Sequence, residues 1–180
     1  MKRVLRMLGV IAFLVARSGF AAVQSVADQP TEEHMTHEIR NELITVPQLT
    51  IFDHLAFRLD GSTVTLTGQV RNAFLKDSAE KVVESIDGVK AVNNQIEVLP
   101  ALPNDDRIRK AVARAIFNDN RLFRYSMGAV PPIHIIVNRG HVRLEGVVDN
   151  QSDKDAAGLR ANRVPGVFSV QNNLRVENST

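Results

Sequence analysis

The sequence predicts an α+β protein: two copies of an α-β-β-α-β fold, each a small mixed sheet with two helices packed on one face. Three observations predict it. The run VTLTGQVRNAFLKDSAEKVVESIDGVKAVNNQIEV, Val64 to Val98, returns as VRLEGVVDNQSDKDAAGLRANRVPGVFSVQNNLRV, Val142 to Val176, at a constant offset of 78 and without a gap. Within each copy the apolar spacing changes from a helical period to an alternating one and back. Turn and capping residues fall at the joints between those runs.

Each element has its own signal. In the first copy Met35, Ile39 and Leu43 recur one helical turn apart, and Pro47 lies just past the end. The counterpart helix carries Ile108, Ala111, Val112, Ala115 and Ile116, with Asn104 as its N-cap. These two helices align at an offset of 73, so the second copy holds five extra residues near Ser126 to Pro132. A hairpin follows. Leu55, Phe57 and Leu59 alternate, then Val64, Leu66 and Val70, around an Asp60-Gly61 turn. Copy two repeats this with Ile133, Ile135 and Val137, then Val142, Leu144 and Val148, through Asn138-Arg139-Gly140.

The next helix is capped by Asn72, closed by Gly88 and striped by Ala79, Val82, Val83 and Ile86. Its counterpart is weaker, with Gly158 inside and Pro165 at its end. Val92, Asn94, Ile96 and Val98 form a last strand, matched by Val170, Asn172, Leu174 and Val176. The β-α-β crossover makes that strand parallel to its neighbour. The copies then occupy residues 28–99 and 104–180, joined by a linker at 100–103 within LPALPN.

Residues 1–27 read as an export signal. Lys2, Arg3 and Arg6 precede an apolar run from Met7 to Ala16 and then small residues. Ser25-Val26-Ala27 marks cleavage before Asp28, with cleavage after Ala21 as the alternative. An uncleaved anchor helix is the competing reading; against it, Arg17 ends the run well short of the ~20 apolar residues a span needs. Removing this segment takes four basic and no acidic residues, so the formal charge falls from +2 to −2. The basic pI of the whole chain is therefore no argument for nucleic acid. The absence of Cys excludes disulfides, thiolate metal sites, a Cys nucleophile and lipid attachment through an N-terminal Cys.

The repeated pattern V-x-L-x-G-x-V, a helix, then G-V-x-x-V-x-N-x-L/I-x-V resembles the BON domain. It occurs with Gly68, Gly88 and Asn94 in copy one, and with Gly146, Gly166 and Asn172 in copy two. The arrangement, an export signal followed by two such copies, is similar to the OsmY-like periplasmic proteins. The resemblance implies an envelope-associated, non-enzymatic module linked to phospholipid surfaces and to osmotic or envelope stress. It brings no catalytic residues with it. Physically, Gly68 and Gly146 fall late in a strand, where a missing side chain allows close approach by another backbone or a helix, which favours a turn-and-packing role over the competing reading of a binding groove.

No constellation for catalysis or a cofactor emerges from the residues. His34 and His37 stand i,i+3 beside Glu33 and Glu38, but no third ligand is placed and H-E-x-x-H spacing is absent, so no metal is expected. Nucleophile-elbow, Walker and dinucleotide motifs are absent. Asp105-Asp106 and Glu32-Glu33 lie at helix starts, where acids favour the dipole.

Charge separates the copies. Residues 31–99 hold 6 basic and 11 acidic residues, and residues 104–177 hold 12 and 8, giving net −5 against +4. Either the copies are specialised or they attract one another. In RIRKAVARAIF, residues 107–117, Arg107, Lys110 and Arg114 fall beside the apolar stripe, and Phe117 falls on the face that should be wet. Arg121, Phe123 and Tyr125 continue the mixture; copy one has His34, His37, Asn41 and Ile44 at the aligned helix positions. A basic edge with aromatics suits peripheral contact with an anionic phospholipid surface. The competing readings are a junction between copies covered by Phe117 and Phe123, and a chaperone-like adaptor for other envelope proteins.

Overall fold

The computed structural model describes residues 30–127 and 131–177, so the export signal read in residues 1–27 lies outside the described residues. Copy one comprises α1 (Glu32–Ile44), β1 (His54–Asp60), β2 (Thr63–Val70), α2 (Ala73–Glu84), β3 (Ala91–Asn94) and β4 (Glu97–Val98). Copy two comprises α3 (Pro103–Phe117), a 3-10 turn (Phe123–Ser126), β5 (Ile133–Asn138), β6 (His141–Val148), α4 (Gln151–Asn162), β7 (Ser169–Asn172) and β8 (Arg175–Val176). In each, the hairpin strands pair antiparallel and the crossover strand returns parallel to the second of them. The sheet order is β1-β2-β3, and β5-β6-β7 in the second copy.

The last strand of each copy is broken in two. Asn94 is the cause: its Oδ1 accepts the Ile96 N–H at 3.2 Å, turning the backbone between β3 and β4. Its Nδ2 donates to the Lys76 carbonyl of α2 at 3.0 Å, fastening strand to helix. Asn172 does the same with Leu174 and Lys154. Gly68 and Gly146 take φ of +122° and +120°, and a Cβ there would fall on the His54 or Pro132 carbonyl. That close approach to the neighbouring strand requires glycine.

Two corrections concern copy two. Asn104 is not the N-cap of α3, because Pro103 already begins the helix, where its fixed φ suits the first turn. The helix expected to be weaker, α4, forms over the same length of 12 residues as α2. Gly158 is there for packing, since a Cβ would stand 2.8 Å from the Asn172 amide nitrogen.

Each copy buries its own core of β2 or β6 side chains under two helices. The first hairpin strands differ sharply. Ile133, Ile135 and Val137 of β5 are fully buried, whereas Leu55, Phe57 and Leu59 of β1 are only half-buried. Part of the reason is a turn of copy one, Thr50–Asp53, that lies against β5. The Ile135 N–H donates to the Ile51 carbonyl at 2.7 Å, and Ile51 and Phe52 pack on the copy-two core. Asp53, fully buried, holds that turn by accepting the Thr50 N–H and hydroxyl and the Arg71 N–H.

Candidate functional site

The basic helix of copy two divides into a structural half and a solvent-facing half. Ile108, Val112 and Ile116 of α3 enter the core. Arg109, which lies on the edge of that stripe, is buried too. Its guanidinium donates to the Val137 carbonyl at 2.6 Å and to Asp106 at 2.7 Å, tying α3 to β5. Buried Asp105 accepts the Arg139 and Gly140 N–H groups at 2.7 and 2.9 Å, clamping the β5–β6 turn. These acids do more than favour the helix dipole. Sequence reasoning passed over Arg109, although its i,i+4 spacing from Asp105 marked both for one buried line.

Lys110 and Arg114 are exposed on the outer side of α3 and have no acidic partner among the described residues. Arg107 is exposed at the start of the helix and donates to Asn104 at 3.0 Å. Arg121 is exposed and donates to Ser152 at 2.7 Å, bridging to α4. Phe123 is 55% exposed.

Two members of the expected set are not surface residues. Phe117 is half-buried against the copy-two core, because the chain reverses after α3 through Asn118 and Asp119 and closes over its last turn. Tyr125 is 4% exposed. Its hydroxyl donates to buried Asp153 at 2.6 Å and accepts the Asp149 N–H at 2.9 Å. Burial, reinforced by the Asp153 carboxylate, pushes that hydroxyl's pKa up, so it stays a donor. At the junction between the copies, Ile51 and Phe52 of copy one pack on the copy-two core.

The structure adds residues from α4. Leu159, Arg160 and Arg163 share one outer face, and Leu159 is 52% exposed. Arg160 reaches across to Asp119 at the end of α3, at 2.6 Å. That contact and the Arg121 backbone N–H, the stronger influence, hold the Asp119 carboxyl below its ordinary pKa. Two shallow hollows meet at Asp119 and Arg160, one reaching Arg114 and the other Arg121, Leu159 and Arg163. The signal for α4 was its i,i+4 and i,i+3 spacing of Leu159, Arg160 and Arg163, hidden by reading the helix as weak. Phe168, in the turn before β7, is 76% exposed and rests on Gly140.

The charge contrast between the copies is not spent on joining them. Among the described residues every ion pair lies within one copy. The junction uses uncharged contacts and hydrogen bonds such as Arg143 to Gln69 and His134 Nδ1–H to the Asp53 carbonyl at 2.7 Å. His34 and His37 serve their own helix, 3.7 Å from Glu38 and 3.1 Å from Asn41 respectively. Among the described residues no group of three or more His, Asp or Glu is placed to hold a metal.

Comparison with known proteins gives these arrangements a context. The family profile of the BON domain matches residues 56–100 and again 104–178. Osmotically-inducible protein Y of Escherichia coli is 26% identical over 159 residues, covering 87% of this chain and 78% of that protein. Outer membrane lipoprotein DolP of Haemophilus influenzae is 30% identical over 112 residues; that match covers 59% of this chain and 54%, about half, of DolP. Among solved structures, the C-terminal domain of CdsD, a structural protein of the type III secretion system of Chlamydia trachomatis, aligns at a TM-score of 0.32. It shares 13% identity, and the match covers 82% of this chain and 100% of that one.

Proposed function

The chain belongs to the BON-domain family, of which it carries two copies, and from that premise we propose a non-enzymatic protein of the bacterial periplasm that binds anionic phospholipid surfaces through α3 and α4 of the second copy. In this reading residues 1–27 export the chain, and residues 28–99 and 104–180 are the two copies around the 100–103 linker. The relatives' names, osmotically-inducible protein and outer membrane lipoprotein, favour a role under osmotic or envelope stress.

One observation carries the proposal: Lys110, Arg114 and Arg163 are exposed without an acidic partner among the described residues, and Arg163 shares a hollow with the exposed side chain of Leu159. Each such cation contributes about 1 kcal/mol near an anionic leaflet, and an apolar side chain at the headgroup level adds to it. Among the described residues no helix is long and apolar enough to cross a membrane, which fits contact at the surface.

The test is co-sedimentation with phosphatidylglycerol-containing vesicles and with phosphatidylcholine vesicles. Binding is expected to the first, and to weaken with salt. Changing Lys110, Arg114 and Arg163 together to Ala should weaken it about a hundredfold. Phe117→Ala should lower stability more than binding. Failure of the unaltered protein to bind anionic vesicles at low salt overturns the proposal.

A further inference from the structure

The first copy has an opening that the second has closed. Between α1 and β1 runs a groove of about 600 Å³, walled by Arg40, Leu43 and Ile44 of α1 and floored by Leu55, Phe57 and Leu59 of β1. Glu145 and Arg175 of copy two stand at its rim. Ile44 is 46% exposed there, an unusual position for a large aliphatic side chain bordering half-buried leucines.

This groove also lies along an unpaired strand edge. β1 pairs only with β2, and among the described residues its other edge meets no strand. At the repeat offset Phe57 corresponds to Ile135, and Leu66 opposite it corresponds to Leu144. Ile135 points its N–H away from β6, since it donates to Ile51. The matching register therefore turns the Phe57 N–H away from β2 and into the groove. Leu55 and Leu59 follow by the two-residue period of a strand. None of these N–H groups donates to another main-chain group across the groove among the described residues.

The protein itself shows what such an edge takes. In copy two the equivalent N–H donates to a main-chain carbonyl, and apolar side chains from the same segment pack on the core. An acyl chain would cover the floor of the copy-one groove but strip water from the backbone groups of β1 and leave them unsatisfied. A polypeptide strand satisfies both. Arg40 and Arg175 have no acidic partner among the described residues, so the occupant they favour carries an acidic side chain.

We propose that the groove between α1 and β1 binds an extended segment of another polypeptide, added as a strand to β1, with apolar residues at alternate positions and an acidic residue beside Arg40 or Arg175. Leu55 to Leu59 gives the segment a strand's length of about 13 Å, room for four or five residues. The site is separate from the α3–α4 surface, and each can fail without the other.

The probe is a blocked nonapeptide alternating Val with Thr and ending in Asp. A second version is N-methylated at alternate residues, which keeps the apolar face but removes the backbone donors. Fluorescence anisotropy should show the N-methylated peptide binding at least about tenfold more weakly, because main-chain hydrogen bonds give strand addition its affinity. Arg40→Glu and Arg175→Glu should each weaken binding severalfold. Both are exposed, so the fold should survive. Amide exchange supplies the second readout: the Phe57 N–H should exchange fast in the free protein and become protected by peptide, while the Ile135 N–H stays protected throughout.

Equal affinity for the two peptides, or no binding of either, overturns the proposal. So does dodecanoate that binds the groove and displaces the peptide without protecting Phe57, which would make it an acyl site. Protection of Phe57 in the free protein overturns it as well. If that protection survives dilution, the chain's own N-terminal segment fills the groove; if dilution removes it, a second copy of the protein does.

Discussion

Arg109 and Lys110 are neighbours in the chain with opposite fates. Arg109→Ala removes a buried pair of charge-assisted hydrogen bonds and strands the Val137 carbonyl. It should cost about 2–3 kcal/mol, read as a lower urea midpoint at unchanged slope. Lys110→Ala should stay within about 0.5 kcal/mol, because the side chain is exposed and unpaired. This contrast marks the limit of what a helical period reveals at single-residue resolution. The apolar line Ile108, Val112 and Ile116 was legible. The arginine at the edge of that line went unassigned, since a charge there is buried only when a partner on another element receives it. The partner, the Val137 carbonyl, is 28 residues away. Phe117 and Tyr125 were misplaced for the converse reason, because the chain reversal after α3 that buries them has no period to read.

At the scale of elements, the repeat made nearly all the secondary structure readable. Alternation placed both hairpins, and Asn72 was visible as a cap; its side chain accepts the Phe74 N–H. The break between β3 and β4 was not readable, since alternation runs on through Gln95 while Asn94 bends the backbone. Gly158 was visible but misjudged. Gly→Ala inside a helix ordinarily stabilises by about 1 kcal/mol. Here the added Cβ would press on the Asn172 amide, which is held by its 2.7 Å bond to the Lys154 carbonyl. Gly158→Ala should therefore lower the melting temperature, and the same change in an Asn172→Ala background should raise it. Equal effects in both backgrounds would remove the packing explanation.

For the whole molecule, the junction between copies carries a pH dependence. His54 and His134 stand with ring centroids 5.7 Å apart at that junction. Burial, foremost, holds both below the ordinary histidine pKa, and Arg143, Arg175 and their mutual repulsion add to it for His54; Glu145 opposes it there, and the Asp53 carbonyl opposes it for His134. A lowered folded pKa means the unfolded chain takes the proton first on acidification. Stability is then complete above pH 6.5, the ordinary value, and falls as pH drops below it. Melting temperatures between pH 7.5 and pH 5 should show this loss, and His134→Gln should flatten it, since Gln keeps a donor for the Asp53 carbonyl without the titration. That the two histidines meet was beyond the sequence, because the contact depends on how two separate sheets dock.

The turn Thr50–Asp53 makes the dependence of one copy on the other unequal. Copy two borrows a carbonyl and two apolar side chains to finish its outer strand, whereas β1 in copy one stands open with copy two attached. The duplication has become a division of labour with a lender and a borrower. A recombination event that discarded the first copy would uncover the β5 edge, while losing the second would leave the β1 edge unpaired as before but strip Glu145 and Arg175 from the rim of its groove. Selection should therefore keep the pair in this order, and a gene fragment encoding only the borrower should aggregate more readily than one encoding only the lender.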